Sequence, residues 1–390
     1  MHPDKSPGKV HSFQLPRKIL FGVKASEKVG SEAKASGGKR ALLVTDENLV
    51  GMGVATKIEK CLVKEGLSVD IFSSVEAEPH LEVAESVAVA ARKGRYDIVV
   101  GVGGGSVLDM TKVAAMSRTN PGPMREYLGV DLVKKPSLPS ILLPTTAGTG
   151  SEVTNVAVVT VAEEELKTAI ISPYMLSHVA IVDPSLTYSM PPRLTASTGL
   201  DALSHALEAI ISTNANLITD ILALESIRLI FTHLPRAYEE GDAESRYGMS
   251  LGSLTAGMAF GNAGVCLGHA VAYTFAVTYN VTHGVSCGLA LPYVLRFVAP
   301  AISWKLPQIA KAMNLDPHNL GTKELTYHIT ESIFKLMYEL QMPRRLRDLG
   351  IPAEALPKLA ERLLTFKRLI QRVPRRLSEK DALTLFEEMW

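Results

Sequence analysis

The run "YDIVVGVGGGSVLDMTKVAAM" (96–116) constrains the chain most. It begins with β-branched and apolar residues, crowds glycine at 101, 103, 104 and 105, and continues in a helical pattern. A strand covered on both faces reads as an unbroken apolar run, and a glycine turn feeding a helix is how such a strand leaves a parallel sheet. Further β-rich runs stand at 41–45, 67–73, 140–145, 156–161 and 179–183, with helical patterns such as 81–94 between several of them. This alternation predicts an α/β domain over residues 1–189, built on a parallel, Rossmann-like sheet.

The pattern changes at Pro191 and Pro192. Thr195 or Ser197 is placed to cap a new helix, and from there to Trp390 the apolar residues recur at helical spacing. "SEKD" (378–381) reads as a capping box before "ALTLFEEMW". The expectation is a second, all-helical domain over 190–390. A chain of 390 residues is long enough for two cores.

Composition narrows the function classes. Hydrophobic residues make up 46% and charged residues 21%, which is globular usage. Basic and acidic residues balance at 41 and 40, so the basic excess of a nucleic-acid binder is missing. Three cysteines argue against a disulfide framework and for a reducing compartment. The opening "MHPDKSPGKV" lacks an apolar signal core, and no apolar run reads as long enough to span a bilayer. The expectation is a cytoplasmic enzyme with a small-molecule substrate and no membrane partner.

The glycine turn suits phosphate. Glycines let the backbone approach a ligand closely, and the helix that follows aims unpaired N–H groups and its positive end at it. Gly101-x-Gly103-x-x-Ser106 departs from the usual dinucleotide fingerprint by its serine, and a purely structural turn is the alternative. "LLPTTAGTGSEVT" (142–154) adds Thr145, Thr146 and Thr149 after another strand. Asp46, after the strand at 41–45, is placed to accept from a ribose and favour NAD over NADP, or else to cap a helix in "TDEN".

Metal chemistry is the second signal. Asp201 and His205 in "GLDALSHALEA" stand four apart, on one face of an apolar helix. "GVCLGHAVAYTFAVTYNVTHGVSCG" (264–288) adds His269, His283, Cys266 and Cys287. Two ligand sets compete: Cys266, His269, His283 and Cys287, or Asp201, His205, His269 and His283. The second is preferred, because the first leaves a carboxylate unpaired on a buried helix. One carboxylate and three imidazoles accept Fe(II) or Zn(II).

Taken in order, these motifs resemble the iron-containing (group III) alcohol dehydrogenases, whose fold is shared with dehydroquinate synthase and glycerol dehydrogenase. "FQLPRKILFGVKAS", "GVGGGSVLD", "LPTTAGTGSEVT", "TGLDALSHALEA" and "AGMAFGNAGVCLGHAVAY" with "VTHGVSCGLALP" carry the resemblance over nearly the whole chain. It implies a metal on Asp201, His205, His269 and His283. It implies cofactor contacts from Gly103, Gly104, Gly105 and Ser106, with Asp109 nearby, from Thr145, Thr146 and Thr149, and from Lys167 near the ribose. Phe260 would border the substrate. Several members carry a further histidine four residues after the third ligand, where this chain has Tyr273. Tyrosine there also resembles the hydroxyacid–oxoacid transhydrogenase branch. The implied activity is NAD(P)-linked oxidation of a small alcohol, in a homodimer or larger assembly. The other readings are a glycerol dehydrogenase-like enzyme, a dehydroquinate synthase-type lyase and a non-catalytic scaffold.

Overall fold

The computed structural model describes residues 10–161 and 166–390; the N-terminal reading of residues 1–9 lies outside the described residues. The chain divides into two units between Ser189 and Met190, the described residues 10–13 clustering with the second, so the α/β unit starts at Gln14.

The α/β unit contains β1 (Lys18–Phe21), β2 (Arg40–Val44), β3 (Ser68–Phe72), β4 (Ile98–Gly103), β5 (Gly129–Val130), β6 (Ser140–Pro144), β7 (Val156–Val161), β8 (Leu166–Ile171) and β9 (Val179–Val182). Six of them form one sheet, in the order β1-β9-β6-β4-β2-β3, and every pairing in it is parallel. Alternation along the strands explains the unbroken apolar runs. Leu42, Val44 and Val99 enter one core with the helices Leu81–Lys93 and Gly105–Ser117, while Ala41, Leu43, Ile98 and Val100 enter another with Val29, Ile58 and Leu62.

The run at 156–161 departs from the expected parallel sheet. It is β7 of a separate three-stranded sheet and runs antiparallel to β8, a strand carrying Lys167 and Thr168 that the apolar pattern does not announce.

The other unit is helical. Its first long helix, Pro192–Ile211, starts earlier than expected, with Pro192 where a missing N–H costs nothing. Thr195 therefore sits inside the helix: its hydroxyl donates to the Pro191 carbonyl and accepts from Arg246 Nη1 at 2.7 Å. Against it pack the helices Leu217–Glu239, Ala243–Ala263 and His283–Val298. Ser378 caps the last helix in a capping box, as the sequence suggests. One expectation is corrected: the stretch His283–Ile302 is long and apolar enough by length and composition to cross a membrane. It is mostly buried within the protein, as a core helix is.

Candidate functional site

In the helical unit, three segments bring four donor groups together. Asp201 and His205 lie one turn apart on the Pro192–Ile211 helix, His269 lies in the first turn of the helix Leu267–Ala276, and His283 opens the helix His283–Val298. Gly284 permits the last approach, since a Cβ there would stand 2.3 Å from the Ser197 carbonyl oxygen. One ligand atom from each of Asp201, His205, His269 and His283 lies within 4.8 Å of every other. Asp201 Oδ1 is 3.6 Å from His283 Nε2 and 3.9 Å from His205 Nε2, and the Nε2 atoms of His205 and His269 face each other at 3.1 Å.

Asp201 Oδ1 is buried and accepts no hydrogen bond. An uncompensated buried carboxylate oxygen is costly, and a divalent cation among these donors would satisfy it. The cysteine alternative does not assemble. Cys266 Sγ lies toward the Glu208 carbonyl, 3.9 Å away, and burial pushes its thiol pKa well up. Cys287 Sγ is 3.7 Å from the His283 ring, with its thiol pushed by burial up to about 11. Neither joins the donor cluster.

The surroundings are aromatic. Phe260 stacks on His205 at 4.0 Å between ring centroids, 11° from parallel. Tyr273 meets His269 edge-on at 5.9 Å, stacks against His283 at 5.7 Å and touches Phe366. Burial pushes the Tyr273 phenol up to about 12.

In the α/β unit, the glycine turn joins β4 to the Gly105–Ser117 helix, which begins without a side-chain cap. A Cβ on Gly103 would stand 2.5 Å from Val107 Cβ, whereas on Gly104 it would meet nothing nearer than Thr146 Cγ2 at 3.6 Å. Gly103 thus packs strand against helix, and Gly104 leaves an open face. Thr145 N donates to the Gly103 carbonyl at 2.9 Å, Thr146 borders Gly104, and Thr149 borders Gly105. In the strand order β3-β2-β4-β6-β9, chain order reverses between β2 and β4, where ligands bind in open α/β sheets. Asp46 follows β2 at that point and caps the helix Glu47–Gly51, accepting from Leu49 N at 3.0 Å.

Three other residues are placed as follows. Ser106 Oγ accepts from Glu78 N at 3.1 Å. Lys167 Nζ lies 2.9 Å from Glu78 Oε2. Asp109 is taken up by the protein: it accepts from Ser151 Oγ and from Val158 N at 2.9 Å, and pairs with buried Lys112 at 3.1 Å. Its part is to hold the 149–158 segment against the helix.

Residues 16–184 match the model of the iron-containing alcohol dehydrogenases, and residues 195–390 match that of the C-terminal domain of the Fe-containing alcohol dehydrogenase family. The chain belongs to the iron-containing alcohol dehydrogenase family. It is an oxidoreductase of the alcohol dehydrogenase type. Long-chain-alcohol dehydrogenase 1 of Geobacillus thermodenitrificans is 40% identical over 367 residues, covering 93% of this chain and 92% of that one. A crystal structure of a 1,3-propanediol oxidoreductase superposes with a TM-score of 0.94 at 36% identity, covering 98% of this chain and all of that one. A sulfoacetaldehyde reductase from Bifidobacterium kashiwanohense, solved in complex with NAD+, gives 0.88 at 30% identity, over 98% of this chain and 99% of that one.

In this iron-containing alcohol dehydrogenase, sequence reasoning missed Glu208. It lies fully buried, three residues beyond His205 on the Pro192–Ile211 helix. Its carboxylate accepts the His269 Nδ1–H and the backbone N–H groups of Cys266 (2.8 Å), Gly268 (2.7 Å) and His269. Burial raises its pKa, but the neighbouring His269 and these donors bring it below the ordinary value. With Nδ1 donating to Glu208, Nε2 of His269 keeps its lone pair for a metal, the arrangement common to metal-bound histidine. The signal was the i, i+4, i+7 spacing of Asp201, His205 and Glu208, which puts all three on one helix face.

Proposed function

We propose that this dehydrogenase interconverts a small alcohol and its aldehyde, with NAD as hydride carrier and a divalent cation on Asp201, His205, His269 and His283. The observation that carries it is the orphaned Asp201 Oδ1 among three imidazoles, with a buried carboxylate fixing one of them. A bound divalent cation, Fe(II) or Zn(II), supplies Lewis acidity toward the alcohol oxygen. The nicotinamide supplies the hydride acceptor, which no side chain can.

The chain's own residues do the rest. Asp201 brings one negative charge to the donor set. Glu208 holds His269 in the tautomer that presents Nε2. Phe260 and Tyr273 wall the site with rings, which excludes water and favours an apolar carbon chain; with so high a phenol pKa, Tyr273 acts as a neutral hydrogen-bonding group. In the other unit the uncapped helix at Gly104, Gly105 and Ser106 receives the pyrophosphate, with Thr145, Thr146 and Thr149 beside it. The division of labour places the redox carrier on the α/β domain and the electrophile on the helical domain. Three free cysteines fit a cytoplasmic location, and the proposal includes a homodimer or larger assembly.

The test is a panel of straight-chain alcohols, diols and the matching aldehydes, assayed with each nicotinamide nucleotide on protein of known metal content. Nucleotide-coupled turnover of short or medium alcohols is the expected result. Turnover that instead requires a 2-oxoacid acceptor, without added nucleotide, overturns the reading.

A further inference from the structure

The loop from Ser73 to His80 carries no expected function, yet it closes one side of the glycine turn. Asp46 and Ser74 form an isolated bridge, and Thr45 N donates to the Phe72 carbonyl at 2.9 Å, so the loop starts beside the end of β2. Glu78 N donates to Ser106 Oγ in the first turn of the helix. The Pro79 carbonyl accepts from Thr160 N at 2.9 Å. Glu78 holds a left-handed backbone at φ 53°, which a glutamate seldom adopts and which is kept where surrounding bonds enforce it. Its carboxylate meets Lys167 Nζ at 2.9 Å; the lysine side chain is 4% exposed and the glutamate's 37%.

We propose that Glu78 is a cofactor-specificity residue: by holding the Lys167 ammonium it neutralises a cation that would otherwise attract a 2′-phosphate, and so favours NAD over NADP. This rests on the reading that the glycine turn binds the nucleotide. Among the described residues the corner gathers the carboxylates of Asp46, Glu76 and Glu78 and the ammonium of Lys167, so its balance is negative. Asp46 alone faces part of this task with one oxygen committed to Leu49 N. Glu78 acts differently, since its loss both removes a negative charge and frees a positive one.

The experiment measures dissociation constants of NAD+ and NADP+ for the metal-loaded protein by calorimetry, in the wild type, Glu78→Gln and Glu78→Asp. The wild type should bind NAD+ more tightly. Glu78→Gln should shift the ratio of the two constants toward NADP+ by roughly tenfold at low salt, less at high salt, as expected of partly exposed charges. Glu78→Asp, which keeps the charge, should restore most of the discrimination. An unchanged ratio in Glu78→Gln, with both nucleotides still binding, overturns the proposal. A wild type that binds neither nucleotide overturns the cofactor reading itself and this assignment with it.

Discussion

His205 and His269 face each other Nε2 to Nε2 at 3.1 Å, while the far nitrogen of His269 is committed to Glu208. Two imidazoles that both present lone pairs repel each other unless a proton or a cation lies between them. Asp201 and His283 complete a set in which one ligand atom from each of the four residues lies within 4.8 Å of every other, the spacing the proposed cation needs.

Glu208→Gln should weaken the hold on the proposed cation without removing one of its proposed ligands. The amide can still accept from Nδ1–H, but it carries no charge to raise the basicity of the ring. Loss of such a partner typically costs about 10- to 100-fold in metal affinity or activity. Titration with Zn(II) against a competing chelator checks this; an affinity equal to wild type contradicts the positioning role.

The glycine turn separates packing from binding. Gly103→Ala should destabilise the α/β unit by about 1–3 kcal/mol, because its Cβ would press on Val107. Gly104→Ala should leave the melting temperature nearly unchanged, since its backbone, at φ −71° and ψ −179°, suits any residue and its neighbour stands off. It should instead weaken nucleotide binding by roughly tenfold, as a methyl intrudes where phosphate approaches the helix start. Thermal melts and nucleotide titrations of both variants separate the two effects.

Glu152 sets a pH dependence of stability. It is 2% exposed, and burial raises its carboxyl pKa from 4.5 to about 7, with Lys112 partly opposing. The folded state then keeps a proton that the unfolded chain has lost, so stability falls as pH rises from 4.5 to about 7 and levels off above that. Glu152→Gln should remove this slope and gain about 1–3 kcal/mol over the wild type at alkaline pH. Denaturant melts across that range check it, and parallel pH profiles contradict it.

Much of this was legible in the residues themselves. The strands at Arg40–Val44 and Ile98–Gly103 announce themselves because burial on both faces demands unbroken apolar runs. Asp201 and His205 stand out because polar groups one turn apart on an apolar helix need a common partner. Strand direction is another matter. It depends on which strands meet, so the antiparallel pairing of β7 with β8 was hidden. Glu208 was hidden for a similar reason: its partners, the first N–H groups of the helix Leu267–Ala276, lie about 60 residues further on. The stretch from His283 has the length and composition to cross a membrane, and its burial within the protein, which depends on neighbouring helices distant in sequence, is what gives it its place in the core.

Tyr273→Phe should keep the metal and lower turnover by less than about tenfold, since a neutral phenol contributes only a hydrogen bond. The pH profile of turnover should keep its shape, because the Tyr273 phenol, pushed up to about 12, does not titrate in the working range. A change of shape near neutral pH contradicts this.

The most direct measurement is the metal content of purified protein, wild type beside His269→Ala, with alcohol turnover measured on the same samples. The account predicts about one divalent ion per wild-type chain, and loss of both metal and turnover in the variant. A His269→Ala protein that retains its metal and its full activity would contradict it.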